Sequence, residues 1–267
     1  MASINRMFTL LYGISIYIIC CNAAKHRKSP SVPSSDPRIV GGEEITIDRV
    51  PYLVNLRQNG QFRCGGSLIT PNCVLTAAHC VYRITANSLT VAAGASKLSG
   101  NAQIRQVQQT FVSAFYKPNT LDMDVAIMKL SQPLMGANIA TIPLCSQKPD
   151  DGAFVQISGW GYTSETNRQP SDQVRSATVR VVPRAECSQA YEGQATLTSS
   201  MFCATIPGQR DSCSGDSGGP VVYNGQVCGI VSWGFGCARP EFPGVYTNVA
   251  SLRVNTYIRS IAMANCL

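Results

Sequence analysis

The stretch Asp211-Ser-Cys-Ser-Gly-Asp-Ser-Gly-Gly-Pro220 combines hydroxyl nucleophiles, two carboxylates, a cysteine and three glycines. Such small and polar residues are poor material for a hydrophobic core. They let the backbone turn sharply and approach a substrate closely, so Ser217 can stand exposed beside bare N–H groups. A serine is a weak nucleophile unless a general base lies within reach and a third group orients that base. The rest of the chain must therefore supply a histidine and an acid.

The base is nearly determined by composition, because the sequence contains two histidines and His26 lies in a basic amino-terminal segment. The other, His79, follows the apolar run Val74–Ala78, where an imidazole requires a hydrogen-bond partner. Forty-five residues later, Asp124 stands at the start of a second apolar run. A carboxylate there is costly unless it is paired. His79 and Asp124 are therefore the candidates for the base and its orienting acid.

Short apolar or alternating runs between turn residues predict an all-β body. Asn224-Gly225 separates two of these runs and is typical of a two-residue hairpin turn. Helical periodicity is found only near the end, where Val254, Ile258 and Ile261 share a face after Ser251 as N-cap. The predicted strands are 52–56, 66–69, 87–92, 125–130, 154–157, 174–182, 220–223 and 226–232.

Six short motifs follow one another along the chain: Ile39-Val-Gly-Gly42, Leu75-Thr-Ala-Ala-His-Cys80, Asp124-Val-Ala126, Ser158-Gly-Trp-Gly161, Gly215-Asp-Ser-Gly-Gly-Pro220 and Ser232-Trp-Gly234. Together they resemble the chymotrypsin family of serine proteases, and in particular its trypsin-like members. The order of His79, Asp124 and Ser217 along the chain is also that of the family. The resemblance implies an all-β fold of two six-stranded antiparallel β-barrels with a C-terminal α-helix.

The resemblance implies a role for each catalytic residue. Ser217 attacks a peptide carbonyl, His79 acts as general base and then general acid, and Asp124 orients the imidazole. The N–H groups of Gly215 and Ser217 form the oxyanion hole. A protease homologue that has lost catalysis and acts as a binding protein is the alternative, although its usual mark, a replaced triad residue, is missing from this sequence.

The same resemblance assigns the primary specificity pocket. Asp211 lies six residues before Ser217, at the family's position for the pocket floor, where a carboxylate pairs with a substrate arginine or lysine. Ser232, Gly234 and Gly244 match further substrate-binding positions, and the two glycines leave room for a long side chain. The expected partners are protein or peptide substrates with Arg or Lys before the cut bond, and protein protease inhibitors.

The amino-terminal part of the chain predicts processing. Residues 1–24 contain Arg6, an apolar run too short to span a membrane and small residues at the end, which is typical of a secretory signal peptide. Residues 25–38 are rich in proline and serine and predict a pro-segment, and 39–267 are the protease domain. We expect a secreted, extracellular monomer without a membrane anchor.

The junction between Arg38 and Ile39 resembles the activation site of family zymogens. Cleavage there by an activating protease frees the Ile39 ammonium group, which in the family turns inward and pairs with the acid before the nucleophile, here Asp216. A buried charge requires such a partner. The resemblance therefore implies a nearly inactive precursor.

The charge of the chain does not indicate a nucleic-acid partner. The net charge is +7, but residues 1–38 hold five bases and one acid, which leaves 17 bases and 14 acids in the predicted protease domain. No clustered basic run is visible there, so we expect no nucleic-acid binding.

The cysteine count is typical of a disulfide-bonded secreted protein. Of twelve cysteines, Cys20 and Cys21 lie in the predicted signal peptide, which leaves an even ten. Three pairings of the four cysteines outside the family pattern remain open, and we favour Cys73 with Cys266 and Cys145 with Cys228. The resemblance implies three further bridges: Cys64–Cys80, Cys187–Cys203 and Cys213–Cys237.

We expect no cofactor and no metal. The stretch Gly94–Gln103 corresponds to the calcium loop of many trypsins, but it is shorter and has no acidic residue. Hard oxygen ligands for calcium are therefore missing from it.

Overall fold

The computed structural model describes residues 41–166 and 168–266 of the chain. The predicted signal peptide, the pro-segment and the activation residues Arg38 and Ile39 lie outside these residues. A two-residue strand, β1 (Glu43–Glu44), is the first of thirteen strands in the described part. No helix within this part is both long and apolar enough to cross a membrane.

The first half of the described chain forms a closed antiparallel barrel of six strands in the order β2-β3-β4-β7-β6-β5. Strands β4 and β7 are neighbours although they are far apart in sequence, and Thr76 lies opposite Ala126. Residues that follow β4 and residues that precede β7 therefore meet at one end of this barrel. The strands are β2 (Leu53–Gln58), β3 (Gln61–Thr70), β4 (Cys73–Thr76), β5 (Leu89–Ala93), β6 (Gln103–Val112) and β7 (Ala126–Leu130).

The second half forms another closed antiparallel barrel, in the order β8-β9-β10-β13-β12-β11 and back to β8. Strand β1 adds to the outside of this barrel by pairing with β9. The two closed barrels confirm the predicted fold. The strands are β8 (Phe154–Gly159), β9 (Arg175–Val182), β10 (Met201–Thr205), β11 (Pro220–Tyr223), β12 (Gln226–Trp233) and β13 (Gly244–Asn248).

Three helices connect or close the barrels: α1 (Ala78–Val81), α2 (Arg184–Ala190) and α3 (Leu252–Asn265). The predicted C-terminal helix is α3, and its Val254 and Ile258 are fully buried in the core of the first barrel. Ser251 occupies the N-cap position but makes no capping hydrogen bond. The N-cap position was therefore predicted correctly, but the expected hydrogen bond from the helix to the Ser251 side chain is missing. Single turns of 3-10 helix at Ile47–Arg49 and Ala86–Ser88 complete the helical segments.

Eight of the thirteen strands overlap the sequence prediction, including β11 and β12. Asn224 and Gly225 between them both have positive φ, of 46° and 72°, as a tight hairpin turn requires. The prediction missed β1, β4, β6, β10 and β13, and it also missed the short helices α1 and α2. The body is therefore richer in strands than the apolar runs indicated.

Ten cysteines lie in the described residues and form five disulfides. Cys73 pairs with Cys266 and Cys145 pairs with Cys228, which is the pairing that we favoured among the open ones. The first of these connects β4 to the end of α3, 193 residues away. The other bridges are Cys64–Cys80, Cys187–Cys203 and Cys213–Cys237.

Candidate active site

His79 and Asp124 meet at the end of the first barrel. His79 lies on α1, directly after β4, and Asp124 directly precedes β7, so the pairing of these two strands brings the residues together. The Asp124 carboxylate is fully buried, with Oδ2 2.7 Å from His79 Nδ1. Its Oδ1 accepts the backbone N–H of His79 at 2.9 Å. Because a carboxylate only accepts, this contact assigns the proton to Nδ1 and leaves Nε2 free to accept another.

The second barrel also holds Asp124. The Ser232 hydroxyl on β12 donates to Asp124 Oδ2 at 2.6 Å, and the Thr247 hydroxyl on β13 donates to the backbone carbonyl of Asp124 at 2.9 Å. A buried carboxylate with several donors is fixed in orientation. Contacts from both barrels therefore determine the position of the imidazole.

Ser217 lies in a tight turn that precedes β11 and rests on the first barrel. The Gly65 N–H donates to the Ser217 carbonyl at 2.8 Å. Gly218 has a φ of +79°, and a Cβ there would come 2.2 Å from the Thr76 hydroxyl oxygen, so only glycine fits. The turn thus packs against the end of β4, three residues before His79. Within the described residues the Ser217 hydroxyl makes no hydrogen bond to His79. The turn with Ser217 and the segment with His79 are therefore neighbours, but their two side chains are not hydrogen-bonded.

Asp216, the residue before Ser217, points into the protein. Its carboxylate accepts N–H groups from Gly161 at 2.9 Å and Cys213 at 3.0 Å. Burial raises the pKa of Asp216 to about 6, although these two hydrogen bonds act in the opposite direction. By contrast, the N–H groups of Gly215 and Ser217 donate to no acceptor within the described part. They remain available to an incoming ligand.

A cavity of about 570 Å³ is lined by both Ser217 and Asp211. Ser232, Gly234 and Gly244 also line it, so the structure brings all the predicted pocket residues to one cavity. The Asp211 side chain is 2% exposed. Burial raises the pKa of Asp211 to about 7, against the effect of its hydrogen bonds.

The Asp211 carboxylate is held by the walls of the cavity. Oδ1 lies 3.2 Å from the Tyr246 hydroxyl and accepts the Ser212 N–H at 2.8 Å, and Oδ2 accepts the Ala238 N–H at 3.1 Å. The disulfide Cys213–Cys237 joins the floor segment to the wall that contains Ala238. Tyr246 and Ala238 were not predicted as site residues, because each acts through a single long-range hydrogen bond.

An ion pair at the rim of the cavity was also missed by the sequence analysis. Glu165 accepts two N–H groups of Arg239, each at 2.9 Å, and the N–H of Cys237. These bonds lower the pKa of Glu165 to about 2, with the hydrogen bond from Arg239 as the largest cause. The partners are 74 residues apart and carry no shared motif. No local sequence signal could have identified them.

One group of potential metal ligands lies close to the site in the described chain, namely Cys64, His79 and Cys80. The two sulfur atoms are bonded to each other in a disulfide. Metal-binding cysteines are thiolates, so this group does not offer the ligands of a zinc site.

Two barrels with a serine, a histidine and an aspartate at their junction, next to a cavity with a buried carboxylate, define the class of double-barrel serine endopeptidases. The comparisons identify the family within this class. The family model described as Trypsin matches residues 39–256, and the chain belongs to this family. It is a trypsin-like serine endopeptidase.

Several insect proteases are similar to this chain. Seminase of Drosophila melanogaster is 42% identical over 219 residues, which cover 81% of this chain and 80% of the relative. Trypsin beta of Drosophila erecta is 39% identical over 246 residues, which cover 91% and 97%. Hypodermin-A of Hypoderma lineatum is 37% identical over 233 residues, which cover 86% and 88%.

Proposed function

We propose that this chain is the precursor of a secreted endopeptidase that cleaves peptide bonds after Arg or Lys through a Ser217 acyl-enzyme. The observation that carries this proposal is the buried Asp211 carboxylate in the wall of the same cavity that Ser217 lines. Its substrates are proteins, as for trypsin-family endopeptidases in general. We propose further that the residue before the cut bond has a basic side chain.

In this proposal the reaction begins when the Ser217 oxygen attacks the peptide carbonyl carbon. His79 Nε2 takes the hydroxyl proton and then gives it to the leaving amine, which breaks the C–N bond and leaves an ester on Ser217. Water attacks this ester by the same route and restores the serine. Asp124 stabilises the imidazolium that forms in each step, supported by its 2.7 Å contact with His79 Nδ1.

The negative charge that develops on the carbonyl oxygen goes to the N–H groups of Gly215 and Ser217. Their lack of another acceptor among the described residues supports this role. Gly215 has a φ of +93°, which favours glycine and sets the direction of its N–H. Loss of one such donor in a related reaction costs ~10²–10³ in turnover.

Selection of Arg or Lys follows from the energetics of the cavity floor. An ionised Asp211 without a cation is costly at this depth, which is why burial raises its pKa to about 7. A guanidinium or ammonium group of the substrate supplies the missing positive charge. When it binds, Asp211 gives up the proton that its raised pKa favours in the free enzyme. Apolar side chains leave the buried carboxylate unpaired, so they are rejected.

Activation by cleavage between Arg38 and Ile39 is supported by the surroundings of Asp216. This carboxylate has two N–H donors but no cationic partner within the described residues, so the Ile39 ammonium would complete it. Gly41 lies against the segment that leads to Asp211, since a Cβ on Gly41 would come 2.0 Å from the Gln209 carbonyl oxygen. An ordered amino terminus can therefore influence the segment that leads to Asp211.

We assign residues 1–24 to the signal peptide, 25–38 to the pro-segment and 39–267 to the protease domain. The protein would then be extracellular, activated by a protease that cleaves after arginine, and controlled by protein inhibitors that occupy the cavity. None of these assignments requires a cofactor.

The test is steady-state hydrolysis of matched arginine and phenylalanine peptide amides, before and after confirmed cleavage at Arg38, with Ser217→Ala as control. We expect activity on the arginine amide that appears after cleavage and is absent from the variant. A phenylalanine preference would refute the role of Asp211. A cleaved, folded protein without activity on either amide would support the binding-only homologue.

A further inference from the structure

We propose that Asp122 is a positioning residue for catalysis, which fixes Asp124 of the first barrel on the barrel that carries Ser217. This inference rests on the proposed function of Asp124 and Ser217, and adds a residue that the family motifs do not contain. Asp122 lies two residues before Asp124 and its side chain is 6% exposed.

The backbone around Asp122 is held in an unfavourable conformation. Leu121 and Met123, on either side of it, have φ values of 54° and 55°. Residues with a Cβ rarely adopt this left-handed region, and they stay there only where surrounding contacts hold them. Something must therefore stabilise the segment immediately before Asp124.

The side chain of Asp122 supplies that stabilisation through residues of the second half of the chain. Its Oδ1 accepts the Ser200 hydroxyl at 2.6 Å and the Thr198 hydroxyl at 2.7 Å. The Ser200 oxygen in turn accepts the N–H of Met123 at 3.2 Å. Asp122 Oδ2 lies 3.7 Å from a guanidinium nitrogen of Arg253 on α3. The carboxylate thus closes a ring of hydrogen bonds around the strained backbone.

The second barrel holds Asp122 and Asp124 through adjacent residues. The carbonyl of Ser200 accepts the N–H of Asn248, at the end of β13, at 2.7 Å. The preceding residue, Thr247, donates its hydroxyl to the carbonyl of Asp124. One short section of the second barrel therefore fixes both ends of the 122–124 segment, and the Asp124 carboxylate points to His79 from that support.

The charge state of Asp122 suits this role. Burial alone would raise its pKa, but the hydrogen bonds from Ser200 and Thr198, with Arg253 and Lys117 nearby, keep the pKa below its usual value. Asp122 therefore accepts these bonds as a carboxylate at neutral pH, and hydrogen bonds to an ionised acceptor are the stronger kind.

The test compares Asp122→Ala and Asp122→Asn with the wild-type cleaved enzyme, using an arginine amide and normalising to sites titrated with an organophosphate. We expect kcat of Asp122→Ala to fall ~10–100-fold with KM within about threefold, because a 1 Å displacement of a catalytic group costs ~10²-fold. Asp122→Asn keeps an acceptor oxygen for the two hydroxyls and should lose less. If the alanine variant does not fold, Asp122→Asn alone tests the proposal, through a smaller fall in kcat.

Asp172→Ala is the matched control, because Asp172 also accepts an N–H and a hydroxyl, both from Ser99, but on an exposed loop. We expect its kcat to stay within about twofold of wild type. Ser200→Ala combined with Asp122→Ala should cost less than the sum of the two single substitutions, since both remove the hydrogen bond between Ser200 and Asp122, while Ser200→Ala also removes the bond to the Met123 N–H.

A folded Asp122→Ala enzyme with unchanged kcat would overturn the proposal and leave Asp122 with a purely structural role. A change confined to KM, or fully additive effects of the two substitutions, would also overturn it. An inactive wild-type enzyme would instead refute the proposed function itself, so the two failures are distinguishable.

Discussion

The pocket walls offer a matched pair of substitutions that tests how the cavity recognises a basic side chain. Gly244→Ala and Gly234→Ala add the same methyl group at two positions that line the cavity. At Gly244 the added Cβ would lie 2.5 Å from Asp211 Oδ1 and 2.9 Å from the Tyr246 hydroxyl oxygen. At Gly234 its nearest neighbours would be 3.7 Å away, which is ordinary contact.

The overlap at Gly244 must be relieved by a movement of about 1 Å, since carbon and oxygen atoms in contact are separated by roughly 3.5 Å. Gly244 itself cannot retreat easily, because it pairs with Ala204 in the barrel. Tyr246 is fully buried and packs against Phe202. The Asp211 carboxylate must therefore move, which weakens its bonds to Tyr246 and Ala238 and misplaces the charge that would receive the substrate.

We expect Gly244→Ala to lower kcat/KM for the arginine amide by ~10²-fold, the cost of a misplacement of that size. Gly234→Ala should lower it by no more than about tenfold, mainly through KM, because the methyl group narrows the cavity without touching its floor. The assay is steady-state hydrolysis of matched arginine, lysine and phenylalanine amides. Titration with a small organophosphate checks that each variant retains a reactive Ser217. Equal losses in the two variants, or an unchanged Gly244→Ala enzyme, would refute the reasoning.

Three further predictions concern the surroundings of the site. Ser232→Ala removes a 2.6 Å hydrogen bond from Asp124, which keeps its two bonds to His79, so kcat should fall by up to about tenfold in steady-state assays. Glu165→Gln breaks the ion pair with Arg239 that supports the cavity wall, and KM for the arginine amide should rise a few-fold with kcat little changed. The stability of an uncleaved Ser217→Ala precursor should fall as the pH rises from about 4 to 7, as measured by thermal unfolding. Over this range the folded protein, with pKa values of about 7 for Asp211 and about 6 for Asp216, binds more protons than the unfolded chain.

Each of these predictions has a control variant or an outcome that would contradict it. For Ser232→Ala, an undiminished kcat would show that the bonds to His79 suffice to orient Asp124. For Glu165→Gln, Lys148 and Asp151 form an exposed ion pair away from the cavity, and Asp151→Asn should leave KM unchanged. For the precursor, Asp211→Asn should flatten the pH dependence, and a stability that rises between pH 4 and 7 would contradict the sign of the argument.

The sequence marks the candidate site residues more clearly than it marks the strands around them. Asp211 and Ser217 lie in a motif whose composition is unsuited to a core, and His79 is one of two histidines in the sequence, so each is visible locally. Strands β6 and β10 were missed for opposite reasons. In β6, four glutamines interrupt the apolar alternation, whereas all five residues of β10 are buried and show no alternation. In a closed barrel, neighbouring strands decide which residues are covered, and that information is not local.

The same limit applies to the contacts that align the catalytic groups. Ser232, Thr247 and Ser200 are 108, 123 and 78 residues from the positions that they hold in the 122–124 segment. A hydroxyl on a strand has no pattern that reveals such a partner. Yet these bonds cross from the barrel of Ser217 to the barrel of His79, and a shift of either barrel would separate nucleophile and base. Under the proposed function, the motifs contain the groups that react, and the hydroxyl groups of Ser232, Thr247 and Ser200 hold those groups in position.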